Sequence, residues 1–303
     1  MTTFGDMVYQ FGGVPIGGGL PLFIGNDSIN YYFVDVTNGK SSNSGLRPDQ
    51  ALNTIAAAVT KVNARIGWSN TRWSTNDVIV VAPGVYAENL TALPYGATLW
   101  GLGDAFDLNG QRGVTIKPAS GSPVDVTSCI NMRIHNICFH APTDSGTEVL
   151  FQADNFNRNV VTDCVFTGVA GGSPTTVKGL EIVKDMTGNW IKNCVVQVVR
   201  NGIYVVTDNA NSKQASGNII ESCYVRGADQ TGIYFDANCV PSYTQINNCI
   251  IGDGATTLAL GLDDNTGVVN VTNTMFTATA CDPASGDADS KYNHCYLNGT
   301  LMT

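Results

Sequence analysis

The sequence predicts an all-β protein built as a parallel β-solenoid, with one α-helix near its N-terminus. Two observations carry this prediction: a six-residue pattern that returns at a nearly constant spacing, and a second strand motif between its copies. Composition agrees, because only 14% of the 303 residues are charged, while Gly, Asn, Thr and Val are frequent. These residue types favour strands and turns over helices.

The six-residue pattern has apolar residues at its first and last positions and a small polar residue, usually asparagine, at its third. Cysteine occupies the fourth position in the central copies. Successive copies are about 25 to 30 residues apart, a spacing typical of one coil of a solenoid. The copies are residues 134–139, 161–166, 191–196, 220–225, 246–251 and 271–276.

The second motif is a short strand with alternating apolar residues that ends in Asp or Asn. It occurs at residues 148–154, 178–185, 201–208, 231–238 and 258–265. Each period therefore holds at least two short strands and has no room for a long helix. One such unit cannot bury its apolar residues alone, whereas stacked units make a continuous core. Their strands then pair in parallel, about 4.8 Å apart.

Stacking places like residues on like, which defines two columns. The third-position column predicts a ladder of side-chain amides at a tight corner, because Asn tolerates the left-handed conformation and caps turns. The fourth-position column should point inward and act as a row of small hydrophobes. Ile137 and Thr274 hold that position in the end copies, which fits packing and does not fit metal ligation. The column comprises Cys164, Cys194, Cys223 and Cys249. The sequence thus predicts free thiols and no metal.

Residues 31–76 predict a strand followed by an amphipathic capping helix. Apolar residues follow the i, i+3, i+4 rule from Leu52 to Ile66, and Asp49 or Asn53 is a candidate N-cap. The β-helix proper is predicted over 77–278, and residues 279–303 are predicted to form a C-terminal cap or tail.

The segment DVIVVAPGVYAENL carries a family pattern in Pro83, Gly84, Tyr86 and Glu88. With the preceding FVD and the following GATLWGLGD, it resembles the start of right-handed parallel β-helix proteins of the pectate-lyase-like superfamily. The resemblance covers roughly residues 31–278. It implies a single-stranded right-handed parallel β-helix whose N-terminal end is plugged by the helix. It implies no particular activity, because this superfamily hosts many unrelated functions.

Residues 1–30 differ from the rest, since they interleave many glycines with large apolar residues. Two interpretations remain open: this arm folds back on its own domain, or it docks on a partner. The organisation resembles the short N-terminal arms of tailed-bacteriophage virion proteins, which anchor a solenoid to the particle. The predicted docking residues are Phe4, Val8, Tyr9, Phe11, Ile16, Leu22 and Phe23.

The formal net charge of −9 argues against nucleic acid and anionic membranes as partners. The N-terminus has no basic region of the kind that begins a secretory signal, and no apolar run is long enough to cross a bilayer. These features predict a protein made and folded in a cytoplasm, in keeping with the free thiols.

Carboxylates at the strand ends are the candidate catalytic groups, because glycoside hydrolysis needs a pair of them. The candidates are Asp208, Asp236, Asp263 and Asp264. The competing interpretation is that they serve the turn after each strand. Tyr204 and Tyr234 share the phrase GIY on consecutive coils and should face outward and stack. Such an aromatic ladder cradles a sugar or packs against a neighbouring subunit.

The leading prediction is a non-enzymatic structural protein of a tailed-phage virion, decorating or spiking the capsid through its arm. It would be a homotrimer bound to the major capsid protein or another virion protein, located in the virion and without a cofactor. The alternative is a tailspike-type polysaccharide depolymerase, a glycoside hydrolase or lyase that binds host surface glycans.

Overall fold

A computed structural model describes most of the chain from Ile29 onward, and earlier only the backbone of residues 10–11 and 14–15. The described ranges are 29–66, 76–106, 112–143, 148–169, 177–206, 213–236, 239–240, 242–252, 258–264, 269–283 and 291–302. Of the predicted docking residues, Phe11 is described by its backbone alone. Phe4, Val8, Tyr9, Ile16, Leu22 and Phe23 lie outside the described residues.

Within the ranges given above, the chain forms short strands, one helix α1 (Ile55–Ile66) and a 3-10 turn (Pro48–Gln50). The first strands are β1 (Gln10–Phe11), β2 (Val14–Pro15), β3 (Tyr31–Val34), β4 (Val78–Val81), β5 (Gly84–Tyr86), β6 (Thr98–Gly101), β7 (Val114–Ile116), β8 (Val124–Ile130), β9 (Arg133–His135), β10 (Ile137–His140), β11 (Val149–Asn157), β12 (Val160–Thr162), β13 (Val165–Thr167), β14 (Lys178–Thr187) and β15 (Trp190–Lys192). The remaining strands are β16 (Val195–Val205), β17 (Lys213–Gln214), β18 (Ile219–Glu221), β19 (Tyr224–Phe235), β20 (Cys239–Val240), β21 (Thr244–Asn247), β22 (Ile250–Ile251), β23 (Leu258–Asp264), β24 (Val269–Thr272), β25 (Met275–Phe276), β26 (Ala278–Pro283), β27 (Lys291–Asn293), β28 (Tyr296–Leu297) and β29 (Thr300–Leu301).

These strands wind into a parallel β-helix with three faces, which confirms the predicted fold class. Sheet A is the ten-stranded stack β3-β4-β6-β9-β12-β15-β18-β21-β24-β27. Sheet B runs from β5 through β7, β10, β13, β16, β19, β22 and β25 to β28. Sheet C stacks β8, β11, β14, β16, β19, β23 and β26. Strands β16 and β19 are long enough to belong to both sheet B and sheet C.

The cysteine column lies in the core, as the sequence predicts. Cys164, Cys194, Cys223 and Cys249 are 0–3% exposed. Their thiols donate to backbone carbonyls; Cys194, for example, donates to Lys192 O at 3.3 Å. All nine cysteines are free, Cys281 and Cys295 included. The four thiols fill space between stacked coils, and no disulfide links one coil to the next.

The asparagine corner adopts the predicted left-handed backbone. The residues at this corner have φ between 49° and 56°: Asn136, Asp163, Asn193, Ser222, Asn248 and Asn273. The predicted ladder of amides is wrong for this column, however, because most of its side chains are exposed. Asn193 bonds Asp163 at 3.3 Å, but Asn136 donates instead to the carbonyl oxygens of Gly101 and Gly103.

A buried amide ladder occupies the opposite corner, between sheets C and A. Asn159 Nδ2 donates to Asn189 Oδ1 at 3.1 Å, and Asn189 Nδ2 donates to Asn218 Oδ1 at 2.9 Å. All three residues are at most 1% exposed. At this corner the residue with the left-handed backbone is the one before each asparagine, namely Arg158, Gly188 or Gly217. The asparagine that follows it therefore turns inward.

Helix α1 packs its apolar face on the N-terminal end of the solenoid, with Ile55, Val59 and Val62 buried. Its first turn is capped by Thr54, whose hydroxyl accepts from the Ala57 amide at 3.2 Å, instead of by Asp49 or Asn53. The Glu88 carboxylate accepts from the Ile55 and Ala56 amides at 2.8 and 2.9 Å. The glutamate of the PGVYAE turn therefore fastens the helix to the first coil.

The solenoid extends beyond the predicted limits of 77–278 at both ends. β3 pairs with β4 at the start of sheet A, while β27 and β28 pair with β24 and β25 at the other end. Residues 291–297, inside the predicted cap, thus form a further copy of the repeat, with His294 at the left-handed position and Cys295 buried. This copy is hard to detect because Tyr292 and His294 replace the usual aliphatic residue and asparagine. No helix in the described part of the chain is long and apolar enough to cross a membrane.

Candidate functional site

One column of side chains crosses the outer surface of sheet C, coil by coil. Backbone register aligns Asp125, Gln152, Glu181, Tyr204, Tyr234 and Asp263. The residues that follow them, Val126, Ala153, Ile182, Val205 and Phe235, are buried in the core. Because successive residues of a strand point to opposite faces, the aligned residues point outward. We call this set the sheet C column.

Two tyrosines stack at the middle of the sheet C column. The rings of Tyr204 and Tyr234 lie 4.5 Å apart between centroids and 13° from parallel. The Lys178 ammonium lies 4.5 Å from the centroid of the Tyr204 ring and forms an ion pair with Glu181. Both tyrosines are half-buried. The faces of the two rings are thus turned toward each other and, on Tyr204, also toward Lys178. The pair therefore forms an aromatic platform whose ring edges and hydroxyls face outward, with a charged edge on the Glu181 side.

Glycines beside the platform allow the coils to approach closely. Gly179, Gly202 and Gly232 stack on successive coils, two residues before Glu181, Tyr204 and Tyr234. A Cβ on Gly202 would lie 2.4 Å from the carbonyl oxygen of Gly232, and one on Gly179 would lie 2.5 Å from that of Gly202. Side chains are excluded there, which keeps the rungs under the tyrosines in register.

Carboxylates flank the other side of the platform. Asp263 is the Cα partner of Tyr234 on the next coil, and Asp236 follows Tyr234 by two residues and accepts from its hydroxyl at 3.4 Å. One coil of spacing and two residues of strand place the Cα atoms of Asp236 and Asp263 about 8 Å apart. The structure thus brings two of the predicted acidic residues to one end of the platform.

The phenol groups are held neutral by their surroundings. Burial, then Asp236, Tyr204 and Asp263, raise the pKa of Tyr234 to about 12. Burial is also the largest cause of the raised pKa of Tyr204, followed by Glu181, Asp236 and Asp263, while Arg200 opposes the shift. Both hydroxyls therefore keep their protons at neutral pH and act as hydrogen-bond donors or acceptors.

Of the other two predicted acidic residues, only Asp264 belongs to the described part of the chain, and it is not on the sheet C column. Asp264 is the Cα partner of Phe235, a core residue, so it occupies the alternate register position. Asp208 lies outside the described residues. Sequence reasoning missed Glu181 and Lys178. Aligning KGLEIV with NGIYVV and TGIYFD would have found Glu181, because it occupies the place of each tyrosine in the motif.

Comparison with known proteins gives fold relatives only. No family model matches the sequence, and no curated protein matches it. Solved structures do match: a pectin methylesterase from Aspergillus niger has 18% identity and a TM-score of 0.53, over 91% of this chain and 87% of that one. A pectin methylesterase from carrot has 11% identity and a TM-score of 0.53, over 91% and 84%. One from Erwinia chrysanthemi has 13% identity and a TM-score of 0.50, over 90% of each chain.

These structures show that the chain has the right-handed parallel β-helix of the pectate-lyase-like fold. They also correct the leading prediction, a non-enzymatic structural protein of a virion. That prediction is wrong: the matching structures are carbohydrate-processing enzymes, and the virion analogy rested on an arm that lies almost entirely outside the described residues. The homotrimer and the location in a virion stay predictions.

Proposed function

We propose that the chain binds a polysaccharide along the sheet C column and cleaves it beside Tyr234. The observation that carries this proposal is the stacked pair Tyr204–Tyr234, set on an outward column with Asp263 aligned and Asp236 bonded to the second ring. The outward edges of the two stacked rings, with their hydroxyls, offer a rigid contact that is partly apolar and partly hydrogen-bonding for a sugar ring. The fold relatives, which are pectin methylesterases, support a carbohydrate ligand.

The geometry of the platform favours an extended polymer over a single sugar. Coils repeat every 4.8 Å or so, which is close to the length of one sugar unit. The sheet C column continues past both tyrosines to Gln152 on one side and Asp263 on the other. A glycan running along the solenoid axis would thus meet an equivalent position on every coil.

The carboxylate pair at the end of the platform suits hydrolysis with inversion. In such enzymes one carboxylic acid protonates the glycosidic oxygen while a second carboxylate takes a proton from the attacking water, and the two carboxyls lie about 6.5–9.5 Å apart. The Cα atoms of Asp236 and Asp263 are about 8 Å apart on one face of the sheet, a spacing from which two outward side chains can place their carboxyls within this range. Tyr234 would contact the sugar with the outward edge of its ring and orient Asp236 through its hydroxyl.

The test is a cleavage assay on purified protein. We expect new reducing ends from a soluble polysaccharide, and a loss of at least about 100-fold in rate in Asp236→Asn and Asp263→Asn, the scale of losing a general acid or base. Binding to the polymer should persist in both variants. The control is Asp154→Asn, which removes a carboxylate of sheet C that pairs with Lys184 at 2.8 Å outside the column.

Two results would count against the proposal. Absence of binding to every polysaccharide in a panel of neutral, amino-sugar and uronate polymers would contradict the glycan site as a whole. Cleavage that survives in both aspartate variants would contradict the assignment of the reaction to Asp236 and Asp263.

A further inference from the structure

We propose that residues 1–28 of the chain dock on an apolar stripe along the outer face of sheet B of the same molecule. The stripe consists of Tyr224, Ile250, Met275 and Tyr296, which are aligned on successive coils. The stripe and the sheet C column lie on different faces of the solenoid, so the docking of the arm does not depend on the proposed function. The arm thus folds back on its own domain, one of the two interpretations that the sequence leaves open.

The side chains of the stripe point outward although they are apolar. The residues that follow them along the strands, such as Val225 and Phe276, are buried in the core, and successive residues of a strand point to opposite faces. Three side chains of the stripe are 40–44% exposed: Ile250, Met275 and Tyr296. On sheet A, by contrast, Lys192 and Glu221 are aligned partners on the outer face. A continuous row of exposed apolar side chains marks a contact surface.

A segment of the chain already covers the same column on the earlier coils. Backbone register continues the stripe through Val195 and Val165 to Cys138. Cys138 and Val165 are fully buried, in one cluster with Ala105. Ala105 lies in the segment that follows β6, and its backbone amide donates to Asn136 Oδ1 at 3.1 Å. A short piece of main chain therefore covers outward apolar residues of sheet B and bonds the corner asparagine beside them.

The coils of the stripe offer the same two kinds of contact. Asn248 stands two residues before Ile250. Asn273 stands in the same place before Met275. Both asparagines are exposed and share the left-handed backbone of Asn136. Each of these coils thus presents an apolar side chain next to a side-chain amide, which can donate to or accept from a peptide group. This combination suits a polypeptide segment.

The size of the stripe favours one segment over a second copy of the chain. With 40–44% of each exposed, the three open side chains present roughly 250 Å², if a large side chain has on the order of 200 Å² in total. A stable contact between two proteins buries about 800 Å² on each partner. A segment of a few residues needs much less, because it belongs to the same chain and loses little freedom on docking.

Residues 1–28 have the composition that such a contact needs. Their only charged residues are Asp6 and Asp27, and large apolar residues alternate with glycines. Seven of the first 25 residues are glycine, which lets the main chain approach a surface closely. Burial of these apolar side chains against the stripe would stabilise both.

The arm also has the reach. It joins the described chain at Ile29, which packs on the outer face of sheet A against a cluster that contains Leu102, three residues before Ala105. Seven steps of sheet A separate β4, in this cluster, from β24, on the coil of Met275. That distance is roughly 34 Å at 4.8 Å per coil. Since an extended chain spans about 3.3 Å per residue, about ten residues cover it and the rest can lie on the stripe.

A photo-reactive side chain on the stripe identifies the occupant directly. Benzoylphenylalanine takes the place of Met275 in the full chain, and cross-linked peptides are identified by mass spectrometry after irradiation. We expect cross-links to residues 1–28 in a product of monomer mass. The control carries the same group at position 243, where Tyr243 is 79% exposed at another corner, and should give no cross-link to the arm. Absence of arm cross-links from position 275 would overturn the proposal, as would their occurrence only in a product of twice the monomer mass.

A charge on the stripe should release the arm. Residues 1–28 contain Phe, Tyr and Leu residues at which chymotrypsin cuts, and cleavage follows the population of the released form. Met275→Asp should speed this cleavage about fivefold, the scale of losing one half-exposed apolar contact. Tyr243→Asp adds the same charge off the stripe, at a left-handed position that Asp tolerates, and should leave the rate unchanged. Equal cleavage rates in wild type and Met275→Asp would contradict the docking.

Discussion

The buried amide ladder predicts which asparagine of a coil carries the stability of the solenoid. Asn189 Oδ1 accepts from the Asn159 backbone amide at 2.9 Å and from its side chain at 3.1 Å. Asn189 Nδ2 donates to Phe156 O at 2.7 Å and to Asn218 Oδ1 at 2.9 Å. Asn189→Ala removes all four bonds inside the core. Asn159 Nδ2 and Asn218 Oδ1 keep other partners, at Cys129 O and the Asn189 amide.

The Asn159 amide and the Phe156 carbonyl lose the most in this variant. At about 1–3 kcal/mol for each buried group left unsatisfied, the two together cost about 4 kcal/mol. The matched control is Asn193→Ala, four residues later in the same coil. Asn193 is exposed and gives up one 3.3 Å bond to Asp163. Because Asn193 has a left-handed φ of 53°, Asn193→Ala should lower the free energy of unfolding by about 1–2 kcal/mol. Asn193→Gly should leave it nearly unchanged.

The assay is urea unfolding followed by circular dichroism, on wild type and the three variants. The free energy of unfolding should fall for Asn189→Ala by at least twice the loss in Asn193→Ala, with an unchanged denaturant slope. Equal losses at the two positions would refute the reasoning, since they would mean that the inner ladder contributes no more than a surface corner.

Two further predictions concern groups outside the glycan site. The thiols of the inner column should not react with an aromatic disulfide reagent in the folded protein, because Cys164, Cys194, Cys223 and Cys249 are buried; rapid labelling of these four before unfolding would contradict the packing. Burial of the Glu88 carboxyl raises its pKa above the ordinary 4.5, and this effect outweighs the two hydrogen bonds from the Ala56 and Ile55 amides, which lower the pKa. The folded state therefore binds this proton more tightly than the unfolded state does, and the resulting stability, fully present below the unfolded pKa, is lost as pH rises through the folded pKa. Glu88→Gln should flatten this part of the pH dependence in urea unfolding, at pH values above the ordinary glutamate pKa of about 4.3; an identical pH profile in the variant would contradict it.

The repeat made the fold predictable, because like residues that return at a constant spacing bury their apolar side chains by stacking on one another in successive coils. Cys194 and its equivalents could be placed inward from the pattern alone, and the left-handed corner at Asn193 followed from the same alignment. The inner ladder escaped detection for a physical reason. Asn159, Asn189 and Asn218 precede an apolar residue by two positions in the phrases NVV, NWI and NII, and nothing in those letters distinguishes a buried amide from a turn. Only the backbone twist at Arg158, Gly188 and Gly217 turns them inward.

The site was predictable in part. Alternation along GIY indicated that Tyr204 and Tyr234 stack outward, and Asp236 and Asp263 were named as acidic candidates. Their grouping at one end of the platform depends on the register between β19 and β23, in which Tyr234 pairs with Asp263, and the spacing of the sequence repeat does not specify this register. The virion prediction failed because it drew function from the composition of the arm, which carries no information about the outer face of sheet C.

The central claim is that Tyr204 and Tyr234 form a platform for a polysaccharide. The most direct measurement is calorimetric affinity for a glycan that binds the wild type, repeated on the double variant Tyr204→Ala, Tyr234→Ala and on Tyr243→Ala. Tyr243 is 79% exposed at the corner between sheets C and A, outside the platform. At about 1 kcal/mol for each ring, the double variant should bind roughly 30-fold more weakly, and Tyr243→Ala should bind as the wild type does. An unchanged affinity in the double variant would contradict the account.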